Sequence, residues 1–202
     1  MSRQKARRTR KTRWLLVAGL AVLLLAGGGY YVKSTLDQKM AGQVIDRFNG
    51  VAVFYNGKTG NVSGRNVTAD GYNLGLKFQC VEFVKRYYHR ALNHKMPDSY
   101  GHAKDFFNPR LKDGERNTQR DLIQYTNPSR SKPQVNDLVV YSGTLGNRYG
   151  HVAIISAVSD NQIEVVQQNV GLKTRDSFAL KREQGRWRID NSRILGWLRK
   201  DY

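Results

Sequence analysis

Nineteen consecutive residues without a charge, Trp14 to Val32 (WLLVAGLAVLLLAGGGYYV), stand apart from everything after them. The run is close to the roughly 20 apolar residues with which a helix crosses a bilayer. Seven basic residues precede it and few charges of either sign follow, so the positive-inside rule leaves the N-terminus in the cytoplasm and the rest of the chain outside. Trp14 at one edge, with Tyr30 and Tyr31 at the other, suits the aromatic belts of the two interfaces. A cleaved signal peptide competes with the anchor, since Ala26 to Gly29 offer small residues for cleavage. On either reading the remainder is exported. No Cys follows the apolar run, so a lipid anchor is not indicated. The expected organisation is a basic cytoplasmic tail over 1–13, a transmembrane helix over 14–32, a linker over 33–44 and one domain over 45–202. That places a single-pass protein in a bacterial inner membrane with a periplasmic or extracellular domain.

Beyond the linker the pattern changes to short runs. Ala41 to Phe48 fits a brief helix and Val51 to Tyr55 a strand, followed by a stretch punctuated by Gly57, Gly60, Gly64, Gly71 and Gly75 that reads as turns. Phe78 to Leu92 carries Val81, Val84 and Tyr88 at helical spacing, with Phe78 and Leu92 extending the stripe. From Pro97 to Pro133 the pattern predicts loops with one or two short helices. The last third reads as strands over Asp137–Tyr141, Val152–Val158, Ile163–Gln168, Arg175–Leu180, Arg186–Asp190 and the ILGWL run at 194–198. Short turns such as Ser159-Asp160-Asn161 make these neighbours antiparallel. The class is α+β: an antiparallel sheet packed on one helix.

Composition adds a basic bias. The formal net charge is +18 over 202 residues. Nine of the 34 basic residues and one of the 16 acids lie before residue 41, so the domain itself remains near +10. A polyanion is a plausible neighbour. Nucleic acid is disfavoured, because no binding motif accompanies the charge and the aromatics do not interleave with a basic stripe. No HExxH or paired-Cys pattern points to a metal, and Asp70 lacks the spaced carboxylates of a calcium loop. No cofactor is expected.

One cysteine excludes an intrachain disulfide. Cys80 falls in the first turn of the predicted 78–92 helix, where unpaired N–H groups and the helix dipole favour a thiolate and can face an oxyanion. Of four histidines, His89 is too far along the same helix to reach the thiol, and His94 and His102 read as surface residues. His151 opens the apolar strand VAIISAV, at the lip of a rigid element. In the next strand a period of two puts Ile163, Val165, Gln167 and Asn169 on one face and Glu164, Val166 and Gln168 on the other. A hairpin through Asp160 brings Gln167 or Asn169 within reach of His151, and either amide oxygen accepts a hydrogen bond from one ring nitrogen. Gln79 and Lys85 are the candidate substrate contacts. Lys85 and Arg86 fit a solvated helix face better than a thiolate or carboxylate site, and Glu82 complements the helix N-terminus.

The segments GYNLGLKFQCVEFVKRYY (71–88), PQVNDLVVY (133–141) and YGHVAIISAVSDNQIEVVQQN (149–169) resemble a CHAP domain, the cysteine- and histidine-dependent amidohydrolase/peptidase family. Over about 50–200 the resemblance implies a papain-like (NlpC/P60-type) fold, Cys80 as nucleophile and His151 as base. Gln167 stands where many members have Glu, and Asn169 where many have Asn. The FNGVAVFYNG stretch, GYNLGLKFQCVEF and the terminal ILGWL are most similar to the amidase half of glutathionylspermidine synthetase/amidase. Three functions follow from the resemblance: a peptidoglycan hydrolase working through a thioester, a glutathionylspermidine-type amidase, or a degenerate module that binds wall peptide without cutting it. A thiolate of low pKa favours an enzyme and an inert thiol the binder.

Overall fold

The computed structural model describes residues 2–98 and 100–201, with side chains from Trp14 onward. Side chains of the predicted 1–13 tail lie outside the described residues. The chain divides into two units, Met1–Met40 and Ala41–Tyr202.

The first unit is one helix, α1 (Ser2–Met40). Its stretch Trp14–Met40 is long and apolar enough to cross a membrane. The helix continues through the residues expected to form a linker, because 33–40 contain neither Gly nor Pro to stop it. Gly42, at φ 89°, is the first residue whose backbone departs from helical geometry in the left-handed sense.

In the second unit the brief helix expected over Ala41–Phe48 is absent. Instead β1 (Val44–Phe48) pairs antiparallel with β2 (Val51–Phe54). The reason is the intervening Asn49-Gly50, both at positive φ (46° and 77°), the dipeptide of a tight hairpin turn. A second small ladder joins β3 (Arg65–Val67) and β4 (Asn73–Leu76) inside the glycine-rich stretch. The helix α2 (Cys80–Ala91) follows. The region expected to be loops holds a 3-10 turn (Ala103–Phe106) and also two strands, β5 (Glu115–Asn117) and β6 (Leu122–Thr126). Strands β7 (Leu138–Tyr141), β8 (His151–Val158), β9 (Gln162–Val166), β10 (Arg175–Glu183), β11 (Arg186–Ile189) and β12 (Ile194–Arg199) complete an eight-stranded antiparallel sheet. Its order is β11-β10-β9-β8-β7-β12-β6-β5.

Strand alternation sends side chains to two cores. Val140, Val152, Ile154 and Val166 pack with Phe83, Val84, Tyr87 and Tyr88 of α2, and with Val51 and Val53 of β2. Val139, Ala153, Ile155, Ile163 and Val165 pack on the other face with Leu180, Ile189 and Trp197. Each large apolar side chain so buried contributes about 1.5–3 kcal/mol, which fixes α2 against the middle of the sheet. Its Tyr88 hydroxyl adds a hydrogen bond to the Leu198 carbonyl at 3.1 Å.

Candidate active site

The N-terminus of α2 is built by a turn that holds Phe78 at φ 65° and Gln79 extended, so that Cys80 is the first helical residue. Gly75 of β4, at φ 129°, passes close beneath. A Cβ there would stand 3.3 Å from the Glu82 nitrogen in the first turn of α2. Cys80 is buried, 7% exposed. Burial pushes its thiol pKa up, against hydrogen bonds from the backbone N–H groups of Val152, Val81 and Cys80 itself. The expected preference for thiolate is therefore reversed: the helix N-terminus acts as foreseen, but loss of solvent outweighs it. The Val152 contact also ties the thiol to the residue after His151.

His151 begins β8 immediately after Gly150, whose φ of 75° and surroundings admit no other residue. A Cβ on Gly150 would lie 2.5 Å from the Tyr141 carbonyl oxygen and 2.9 Å from Lys104 Cβ. The His151 ring sits 5.6 Å from that of Tyr141, its partner across the β7–β8 ladder. Its Nε2 is 2.9 Å from Oε1 of Gln167. An amide oxygen only accepts, so Nε2 carries the proton and the neutral ring leaves Nδ1 unprotonated. Burial lowers the ring pKa to about 4; the Gln167 bond opposes this and the Arg193 charge adds to it. Burial thus drives Cys80 and His151 each toward its neutral form.

The CHAP domain model matches residues 68–169, half of the chain, and spans Cys80, His151, Gln167 and Asn169. The chain belongs to the CHAP domain family. Among curated proteins, trypanothione synthetase of Crithidia fasciculata is 28% identical over 148 residues, covering 67% of this chain and 23% of the relative. Glutathionylspermidine synthase of the same organism is 28% identical over 137 residues, covering 62% and 19%. The chain spans less than a quarter of the length of these relatives. Solved structures similar to the chain include Ly7917 with the hydrolysing product of MDP, at TM-score 0.27 and 26% identity, covering 37% of this chain and 31% of that one. The wild-type endolysin LysIME-EF1 gives TM-score 0.38 and 20% identity, covering 70% and 59%.

Within this CHAP domain the remaining predicted residues take different places. Asn169, expected beside His151, leaves β-geometry at φ 70°. Its Nδ2 donates to Oε1 of Gln79 (2.6 Å) and to the Thr59 carbonyl (3.1 Å), and its Oδ1 accepts from Asn56 (2.7 Å). Gln79 in turn donates to the Asn61 carbonyl at 2.6 Å, so its amide is engaged by the 57–64 loop. Lys85 faces neither solvent nor cleft: it is buried, donates to the Asn73 carbonyl and lies 4.7 Å over the Tyr72 ring. Burial first, and the Arg120 charge second, push its pKa down to about 8.

The solvated-face reading of Arg86 fails as well. Arg86 and Glu82, each 1% exposed, form an ion pair at 2.6 Å. Arg86 also donates to the Ala52 carbonyl (2.7 Å) and stacks over Phe54. Gln168, for which the sequence pattern predicts no role, closes the network. Its Nε2 donates to Glu82 (2.9 Å) and to the Gln79 carbonyl (3.0 Å), and its Oε1 accepts the Phe54 N–H (2.7 Å). The four-residue spacing of Glu82 and Arg86 was a legible signal of pairing; nothing in the pattern said that the pair is buried. His94, expected at the surface, is buried with Nε2 2.9 Å from the Arg120 carbonyl. His102 is exposed, its ring tilted at 45° against that of Tyr149 with centroids 4.6 Å apart. His89 packs on Tyr72.

Proposed function

We propose that the domain is a cysteine-dependent amide hydrolase of papain-like type, held at the outer side of a bacterial inner membrane by α1 and acting on the peptide amides of peptidoglycan. The observation that carries this is that the Cys80 thiol lies against the backbone N–H of Val152, the residue after His151, while the His151 ring is held by Gln167, in a chain of the CHAP family. The wall substrate is supported by the N-terminal apolar helix and by a basic domain suited to anionic wall polymers.

The chemistry runs from a neutral pair. As the Cys80 sulfur attacks the amide carbonyl, its proton passes to Nδ1 of His151, whose Nε2–H stays on Gln167. The oxyanion is held by backbone N–H groups at the α2 N-terminus. His151 then gives its proton to the departing amine, leaving a thioester on Cys80. Water attacks the thioester and yields one proton to His151, which returns it to the sulfur as the carboxylic acid departs and gives its remaining proton to solvent.

A second reading, a glutathionylspermidine-type amidase, is favoured by the 28% identity to trypanothione synthetase and glutathionylspermidine synthase. Against it, a basic domain is a poor long-range attractor for a polyamine. The deciding experiment is mass spectrometry of products released by the full chain in detergent micelles from muropeptides and, separately, from glutathionylspermidine, with Cys80→Ala as control. Cys80-dependent cleavage of muropeptides is expected. Turnover of glutathionylspermidine alone overturns the wall reading. Turnover of neither leaves a module that binds without cutting, for which the raised thiol pKa and the neutral Gln167 would then account.

A further inference from the structure

Three cations ring the strand end that carries His151. β7 lies between β8 and β12, with Tyr141 opposite His151 on one side and opposite Ile194 on the other. Arg193, one residue before Ile194, therefore sits at the same end of the sheet as His151. Its backbone carbonyl accepts the Ser142 N–H at 2.7 Å, and its guanidinium donates to the Ser142 carbonyl at 3.2 Å, so the side chain is held in place. Lys104 donates its backbone N–H to the Tyr149 carbonyl at 3.0 Å, two residues before His151. Arg148 lies over the Tyr149 ring at 5.2 Å. All three are exposed, and among the described residues none has a carboxylate partner. Acids in the adjoining segments are occupied: Asp105 accepts the His102 N–H at 2.8 Å, and Asp176 pairs with Lys173 at 3.0 Å.

We propose that this lip receives a carboxylate of the substrate on the His151 side of the scissile amide, with Arg193 as its principal partner and Arg148 and Lys104 as flanking charges. The proposal rests on the amide-hydrolase reading above and narrows its substrate class to amides flanked by an anionic group. A guanidinium tethered at one edge presents its remaining N–H donors in the planar fork that suits a carboxylate. The Arg193 charge also works against the base, since it helps hold the His151 pKa low. A carboxylate seated on Arg193 cancels part of that field, so the substrate restores basicity to the imidazole when it binds.

The test compares kcat/KM for two muropeptides, one with free stem-peptide carboxylates and one with the same groups converted to carboxamides, using the full chain in detergent micelles. The carboxylate form is expected to be preferred by about tenfold, as a few exposed charge pairs allow, and the preference to shrink as salt is raised. Arg193→Gln should bring the ratio close to one, while Arg193→Lys keeps most of it. The ratio is insensitive to general damage by the substitution. Equal rates for the two peptides in the unaltered protein, or a ratio that survives Arg193→Gln, would overturn the proposal. Should neither peptide be cut, the hydrolase reading falls, and the carboxylate site is judged by equilibrium binding of both peptides to Cys80→Ala. There the same preference, lost with Arg193→Gln, supports the site, and equal binding refutes it.

Discussion

Replacing Gln167 by Glu puts a carboxylate where a neutral amide now holds His151, and its effect can be worked from the geometry. With the heavy atoms 2.9 Å apart, the charge centres of an imidazolium and the new carboxylate would lie about 4 Å apart. At an effective dielectric near 20 their attraction is about 4 kcal/mol, or roughly three pKa units at 1.36 kcal/mol each. His151, now at about 4, should move to about 7. The assay is an NMR titration of the imidazole in a Cys80→Ala background, which removes the thiol from the balance. Stability gives a second readout with a definite sign. The folded pKa of about 4 lies below the ordinary histidine value of 6.5, so between those values the unfolded chain binds more protons. Stability is then full above 6.5 and is lost as pH falls toward 4. The span of the shift sets an upper bound of about 3 kcal/mol, since the half-buried ring keeps some solvent contact. Gln167→Glu should abolish that loss. An imidazole that titrates at the same pH in both proteins, or near 6.5 in the parent, would refute the assignment of Gln167 as its partner in a desolvated site.

Other substitutions test the supports of the site. Gly150→Ala forces a Cβ against the Tyr141 carbonyl and Lys104 at positive φ, so a loss of at least about 2 kcal/mol and a lower kcat are expected; an unchanged Tm and turnover would show that the strand start is not constrained. Arg86→Met leaves the Glu82 carboxylate buried without its cation and should cost about 3–5 kcal/mol by urea unfolding, with much of that recovered when Glu82→Leu is added; a single variant within about 1 kcal/mol of the parent would mean that the pair is solvated. Tyr141→Phe removes a buried hydroxyl that has no hydrogen-bond partner among the described residues, so stability should stay level or rise by about 1 kcal/mol in thermal melts, and a clear loss would reveal a bond to that oxygen.

Much of this was legible in the amino-acid pattern, and the failures have physical causes. The 3–4 spacing of Val81, Val84 and Tyr88 located α2 to within two residues, and period-two alternation located β7 to β12, because each element buries one continuous face. Residues 44–48 were misread as helix although Asn49-Gly50 announced a hairpin; VIDRF has too few apolar positions for periodicity to outweigh a turn signal. β5 went unseen because Glu115, Arg116 and Asn117 are all polar, and β6 because Gln124 takes a buried position where alternation calls for an apolar residue; Asn117 and Gln124 are both buried and bonded to each other at 3.0 Å. The same blindness to burial hid the environment of Lys85, Arg86 and His94. Charge type predicts exposure only on average, and a helix whose other face meets β2 and β4 has little solvated surface left.

The placement of residues 167–169 shows how the site is held together. Gln167 holds His151, Gln168 holds the helix through Glu82 and the Gln79 carbonyl, and Asn169 holds the Gln79 side chain. Alternation explains the first two: neighbours on an extended chain point in opposite directions, so Gln167 turns to the His151 ring and Gln168 to Glu82 of α2. The third escapes alternation because its φ is positive, which turns its amide back over the residue before Cys80. His151, the N-terminus of α2 and the loop before Cys80 are thus registered against one another by three consecutive side chains at the end of one strand. A slip of one residue in the β8–β9 ladder would unhook all three at once. The Glu82–Arg86 pair is placed to resist such a slip: it bonds Gln168 directly and, through the Ala52 carbonyl, fastens α2 to β2. On the amide-hydrolase reading, the costly buried charges are kept because they fix the register on which the neutral Cys80–His151 pair depends.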